Sequence, residues 1–148
     1  QRFETGLGDG SDDEEKAATY REKLDEDYRV DYLDWVDRCR VEEPRAVLVA
    51  ESEDGSDGGE LVGYAFLLPE SLAYIWDGAV LNEIYVRESH RGTDVSDDLM
   101  EAVLEVARSQ DLPLDRLLLD VDRSNDRARA YYERWGFEHW GEMVARSL

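Results

Sequence analysis

The spacing of apolar positions changes period once between residues 79 and 110. Ala79-Val80-Leu81-Asn82-Glu83-Ile84-Tyr85-Val86 is rich in β-branched and aromatic residues and reads as a half-buried strand. Strand alternation puts Glu83 and Tyr85 on one face and Ile84 and Val86 on the other. A polar connection follows, Arg87 to Thr93, with a glycine at Gly92. Val95, Leu99, Val103 and Val106 then recur at helical spacing and predict one apolar stripe. A strand that passes through a Gly-containing turn into a helix N-terminus presents unpaired backbone N–H groups, and with the helix dipole these attract anions.

The same patterning organises the rest of the chain. Gln1 to Glu4 could close a first strand, and Leu7 to Gly10 reads as a turn. Ser11 and Glu14 have capping-box spacing and open a helix with Ala17, Tyr20, Leu24 and Tyr28 on one face. A second helical pattern, through Leu33, Val36 and Cys39, ends at Pro44. Arg45 to Glu51 and Leu61 to Leu68 read as a hairpin joined by a long loop, Ser52 to Glu60. That loop is rich in Asp and Gly, but its spacing does not fit a calcium loop, and a solvated turn is the better reading.

Beyond the central strand and helix, Asp111-Leu112-Pro113 breaks the chain and Leu114 to Val121 reads as a strand. Asn125 to Trp135 is a helix, Gly136 stands where a left-handed C-cap is wanted, and Glu138 to Ala145 could be a final strand. This mixed order predicts an α/β fold, a sheet covered by helices. A length of 148 residues suits one domain, 1–148, with its first strand incomplete.

Charge changes the picture of the surface. There are 37 acidic against 17 basic residues, for a net charge of −20. The acids are spread along the chain among periodic apolar segments, so they form a solvated surface and not a disordered tail. Lys16 and Lys23 are the lysines; the other basic residues are arginines. An acidic surface with scarce lysine fits a halophilic-type protein of a salt-rich cytoplasm, where a Debye length of about 3 Å at molar salt screens self-repulsion. It also argues against a nucleic-acid partner, whose phosphates it would repel. No apolar run is long enough for a membrane-spanning helix, so no membrane partner is expected. The chain begins with Gln1 and is expected to be trimmed or to continue a longer protein. Cys39 is the lone cysteine and reads as a small packed residue. His90 and His139 have no partners at ligand spacing, and no metal site is expected.

Two stretches carry a resemblance. Arg91 to Ser96 is similar to a Gln/Arg-x-x-Gly-x-Gly/Ala phosphate loop, and departs from it where Asp94 and Ser96 replace small residues. Asn125, Ala128, Tyr132, Gly136 and Phe137 match Asn-x-x-Ala-x-x-x-Tyr-x-x-x-Gly-Phe in full. Together they resemble the GNAT superfamily of acetyl-CoA-dependent N-acetyltransferases. The resemblance implies a mixed, mostly antiparallel central sheet flanked by helices, with a splayed strand pair at the cofactor site. It implies acetyl-CoA as acyl donor and a primary amine, small molecule or protein N-terminus, as acceptor, with direct attack in a ternary complex. The two N-terminal helices would wall the acceptor side.

By the same resemblance, the backbone of Gly92, Thr93, Asp94, Val95 and Ser96, with Arg91, would hold the pyrophosphate. Ile84, Val86, Asn125 and Ala128 would line the pantetheine arm, with the Val86 N–H facing the oxyanion. Tyr132 stands at the general-acid position. Two carboxylates compete for the base, Asp120 and Glu83. Asp94, Asp97 and Asp98 suit a first helical turn but oppose a pyrophosphate. Arg91, Arg87 and Arg127 are the arginines expected to offset them. Two rival readings keep the fold: a catalytically impaired module that binds a ligand or protein, and an assembly module, a homodimer included, built on an edge strand or on Trp76 and Trp140.

Overall fold

A computed structural model describes residues 26–52 and 59–148. The expected first strand, the Gly-rich turn, the capping box at Ser11 and most of the Asp/Gly-rich loop lie outside them. The first described element, α1, spans Glu26–Glu42. It joins the end of the first predicted helical pattern to the whole of the second, because Tyr28, Tyr32, Trp35 and Cys39 form one continuous stripe at helical spacing. Tyr28 stacks on Tyr32, Tyr32 leans on Trp35, and Trp35 meets Phe66 of the sheet edge-on at 5.4 Å. A short 3₁₀ turn, Pro44–Ala46, ends this helix and leads into the sheet.

The sheet has four strands in the order β1-β2-β3-β4. β1 (Val47–Ser52), β2 (Glu60–Leu67) and β3 (Ala79–Val86) are antiparallel neighbours. β4 (Leu117–Leu118) runs parallel to β3. A short helix, α2 (Glu70–Ala73), connects β2 to β3. α3 (Asp94–Ser109) follows β3, and α4 (Asp126–Arg134) follows β4. This is the mixed, mostly antiparallel sheet with flanking helices expected from the sequence.

The core sits between α3 and one sheet face. Leu99, Met100, Val103 and Val106 of α3 pack on Ala65, Leu67, Leu81 and Val86, with Tyr132 of α4 closing one end. The opposite face holds a smaller cluster of Cys39, Ala46 and Phe66 against α1. Cys39 is thus a packed residue, and burial raises its thiol pKa, helped by nearby Glu42.

A β-bulge in β3 makes the site possible. Leu81 pairs with Leu67 and Glu83 with Phe66, so Asn82 is an extra residue on β3. An extra residue reverses the alternation. Leu81 therefore faces α3, while Glu83 turns to the α1 face beside Tyr64 and Phe66. Ile84 and Val86 return to the α3 face, as alternation from Glu83 onward predicts.

Two predicted strands are shorter or absent. Leu114 to Val121 contributes only Leu117 and Leu118 to the sheet, and residues 138–148 form no strand. A strand needs a partner, and β3 leaves β4 after two residue pairs. Gly78 fixes the approach before that divergence: a Cβ there would lie 2.8 Å from the Leu118 side chain and 3.2 Å from the Arg116 carbonyl. No helix of the described residues is long and apolar enough to cross a membrane.

Candidate active site

The two parallel strands part early. Ala79 pairs with Leu117 and Val80 with Leu118, and the ladder stops there. What β3 then offers to the gap follows from its pairing with β2. The Arg87 N–H donates to the Val62 carbonyl at 2.7 Å. This makes Gly63 and Val86 a non-hydrogen-bonded pair, so the N–H and C=O of Val86 point away from β2. Ile84, opposite Ala65, has the same phase. Both residues turn backbone groups toward the side from which β4 has withdrawn.

The gap leads to the start of α3. Gly92 has φ +76, a left-handed conformation that glycine adopts without strain, and open space lies where a Cβ would stand. Thr93 caps the helix, its Oγ1 accepting from the Val95 N–H and donating to the His90 carbonyl. Gly92, Thr93, Asp94, Ser96 and Asp97 line a cleft of about 340 Å³ here, together with Tyr131 and Arg134. Asp94 is exposed at its rim, and Val95 packs against the core. The Arg91 Nε donates to the Val86 carbonyl at 3.0 Å, and its guanidinium lies over the Tyr85 ring.

Tyr131 and Arg134 are cleft residues that the sequence reading did not place. The Tyr131 hydroxyl donates to the Ser96 carbonyl at 2.8 Å. Arg134 bonds both carboxylate oxygens of Asp97 and lies over the Tyr131 ring. The Arg134 bond holds the Asp97 carboxyl below its ordinary pKa. The cation that offsets the acids is therefore Arg134. Arg87 instead pairs with Glu60, and Arg127 is exposed and does not line the cleft. Their i, i+3 spacing put Tyr131 and Arg134 on one helix face, but the partner lay on another helix.

α4 holds Tyr132 by its two ends. The Asn125 Oδ1 accepts from the Ala128 N–H at 3.1 Å, an N-cap, and half-buried Ala128 packs on the core. At the other end Gly136 has φ +88, and the Phe137 N–H donates to the Tyr132 carbonyl while the Gly136 N–H donates to that of Glu133. This is a Schellman motif, which brings the residue after the glycine onto the last helical turn. Accordingly the Phe137 and Tyr132 rings meet edge-on at 5.5 Å. Tyr132 is 5% exposed, and burial raises its pKa well above the ordinary phenol value. Tyr131, half-buried, is pushed up to about 12, by burial first and then by the Asp97 charge.

The two carboxylates named as base occupy different surroundings. Asp120 is exposed, beyond the end of β4. Glu83 is 6% exposed on the α1 face of β3. Its Oε1 accepts from the Tyr32 hydroxyl at 2.8 Å and its Oε2 from that of Tyr64 at 2.5 Å. Burial, the largest influence, raises its pKa; hydrogen bonds, including those from the two phenols, lower it; the carboxyl stays below its ordinary value. In front of it a second cleft of about 510 Å³ opens between α1 and the sheet, with Tyr32, Tyr64, Phe66 and Tyr85 among its walls.

A strand-edge gap thus ends at a helix N-terminus, and an aromatic cleft opens between α1 and the sheet. The family model of the Acetyltransferase (GNAT) family matches residues 12–137, and the chain belongs to that family. It is 29% identical over 109 residues to the L-methionine sulfoximine/L-methionine sulfone acetyltransferases of Pseudomonas aeruginosa and Pseudomonas paraeruginosa. Those alignments take in 74% of this chain, which spans 59% of the length of these relatives. Among solved structures, a Pyrococcus horikoshii protein superposes with a TM-score of 0.60 at 19% identity, over 94% of this chain and 77% of that one. The apo aminoglycoside 6'-N-acetyltransferase of Acinetobacter haemolyticus gives 0.57 at 17%, over 86% of each chain. At such identities the likeness concerns the fold.

Proposed function

We propose that the protein moves an acetyl group from acetyl-CoA to a primary amine by direct attack, with both substrates bound together. The observation that carries this reading is the parting of β3 and β4, which turns the Val86 and Ile84 backbone toward a gap that ends at the α3 N-terminus. Acetyl-CoA fits what is there. The open side of Gly92 admits close approach of a phosphate, the N–H groups of this turn other than that of Val95, which Thr93 caps, and the α3 dipole would attract it, and Arg134 neutralises Asp97. Exposed Asp94 opposes it. A unit-charge pair at 4 Å interacts by about 1 kcal/mol in water, so solvent and salt reduce this penalty.

Bound acetyl-CoA would supply an activated acyl carbon and a thiolate leaving group. The strand edge of Ile84 and Val86 would hold the amide-rich arm as an added strand does. Arg91 would brace this edge through the Val86 carbonyl, and Asn125 and Ala128 would flank the arm. The Val86 N–H would stabilise negative charge developing on the acyl oxygen. Tyr132 would give its phenolic proton to the sulfur; its raised pKa keeps that proton in place across the neutral range.

Glu83 is the better base, because it is buried and ionised behind the second cleft, whereas Asp120 stands in solvent. The incoming ammonium would pass a proton to a phenol oxygen of Tyr32 or Tyr64 as that phenol gives its own to Glu83. The acidic surface fits a halophilic-type protein of a salt-rich cytoplasm. The test is thiol release from acetyl-CoA with a panel of amines, at low and at molar salt. Amine-dependent release supports transfer. No release, with acetyl-CoA still raising the melting temperature, supports a binding module instead.

A further inference from the structure

The Arg91 side chain touches one residue on the gap and one on the α1 cleft. Arg91 opens the stretch that is similar to a phosphate loop, yet Arg134, and not Arg91, is among the described residues that line the cleft at the α3 N-terminus. The side chain turns back across the 3₁₀ turn Glu88–His90 to the end of β3. There its Nε donates to the Val86 carbonyl at 3.0 Å, on the gap side. Its guanidinium carbon stands 5.8 Å from the centre of the Tyr85 ring, which walls the α1 cleft. A planar guanidinium can lie on a ring face while its N–H groups bond elsewhere. The peptide between Val86 and Arg87 is thereby held at both ends. Its N–H donates to the Val62 carbonyl at 2.7 Å, and its C=O accepts from Arg91. This matters at the end of β3, which has lost β4 after Val80 and whose pairing with β2 ends at Val86.

On the acetyl-transfer reading, we infer that Arg91 is a positioning residue: it fixes the Val86 peptide at the acyl end of the donor site and does not hold the phosphates. The Val86 N–H is the group that would face the acyl oxygen. Its direction depends on rotation about the two soft backbone bonds of Val86, and fixing the plane of the next peptide restricts that rotation. A hydrogen-bond donor already aimed at the developing charge costs no reorganisation at the moment of reaction. The Arg91 bond need not break when the arm binds. A carbonyl oxygen has two lone pairs, so the Val86 oxygen can keep Arg91 and still accept from an N–H of the arm. The Tyr85 ring gives the same guanidinium a second hold, which steadies the Nε on its carbonyl.

Acetyl-CoA and acetyl-pantetheine carry the same thioester, and the second has no phosphate, so the pair separates the two roles. Thiol release by the full chain, with an amine that supports it, is measured with each donor for the unaltered protein and for Arg91→Gln. The expected result is about tenfold lower kcat with both donors, on the order of one hydrogen bond from a charged group, and a KM for acetyl-CoA changed about twofold or less. A loss seen with acetyl-CoA and absent with acetyl-pantetheine makes Arg91 a phosphate ligand and overturns the inference, as does undiminished turnover with both. A second measurement does not depend on turnover. The Arg91 Nε–H proton gives an NMR signal whose exchange with water reads its bond to Val86. It should stay protected when acetyl-CoA is added to the unaltered protein, and the Val86 carbonyl carbon signal should move in Arg91→Gln. Loss of protection on adding acetyl-CoA shows Arg91 leaving Val86 and overturns the inference. Absence of amine-dependent release in the unaltered protein contradicts acetyl transfer instead, and the Nε–H signal with acetyl-CoA present still decides where Arg91 acts.

Discussion

The cleft at the α3 N-terminus and the cleft between α1 and the sheet are made of different material. The cleft at the α3 N-terminus is framed by a left-handed glycine and a capped first turn, with Tyr131 and Arg134 of α4 on its other side, and it lies at the end of the gap between β3 and β4. The cleft under α1 is built from side chains, with rings contributed by α1, β2 and β3 around one buried carboxylate. Backbone geometry constrains residue type at fixed spacing, so the first cleft leaves a motif. Side-chain walls can be exchanged without disturbing the strand, so on the proposed reading the second is where acceptor choice would vary.

Substitutions on either side of β3 should therefore have separable effects. The largest belongs to the side-chain cleft. Glu83→Gln should lower kcat about 10²-fold or more, the size of a general-base contribution, while acetyl-CoA affinity holds. If Asp120→Asn takes that loss and Glu83→Gln does not, the exposed carboxylate is the base. Next in size, Tyr132→Phe should lower kcat about tenfold to 10²-fold with the KM for acetyl-CoA nearly unchanged. Unaltered turnover would reduce Tyr132 to a packing residue.

Smaller effects are expected in the backbone cleft. Gly92→Val forces a β-branched residue to φ +76 and fills the open side, and should weaken acetyl-CoA binding about fivefold to tenfold. Asp94→Gly removes an opposing charge and should tighten it a few-fold, more at low salt than at high. Weaker binding in Asp94→Gly would show that the phosphates lie elsewhere. Smallest is an effect on stability alone. Because the folded Tyr131 pKa of about 12 exceeds the unfolded value of about 10, the unfolded chain loses this proton first. The contribution is intact below about pH 10 and is lost as pH rises toward 12, so Tyr131→Phe should flatten the alkaline fall in melting temperature.

The parts of the molecule that were legible beforehand are those written locally. The start of a helix at Asn125 and its stop at Gly136-Phe137 each depend on a few consecutive residues. The stripe of α3 and the hairpin of β1 and β2 follow from periodicity alone. What escaped depends on distant partners. The bulge at Asn82 exists only in register with β2, and it decides that Leu81 and Glu83 face opposite ways. The strand predicted at Leu114 to Val121 has a suitable pattern but loses its partner where β3 turns away. Arg134 could be seen as a cation on α4, but not as the residue that binds Asp97 on α3.

Backbone amide exchange across β3, followed residue by residue with and without acetyl-CoA, tests the central claim most directly. The account predicts that added acetyl-CoA slows exchange at Ile84 and Val86, while Tyr85, which already faces β2, changes little. Slowing confined to residues outside the gap, with Ile84 and Val86 exchanging as before, would contradict it.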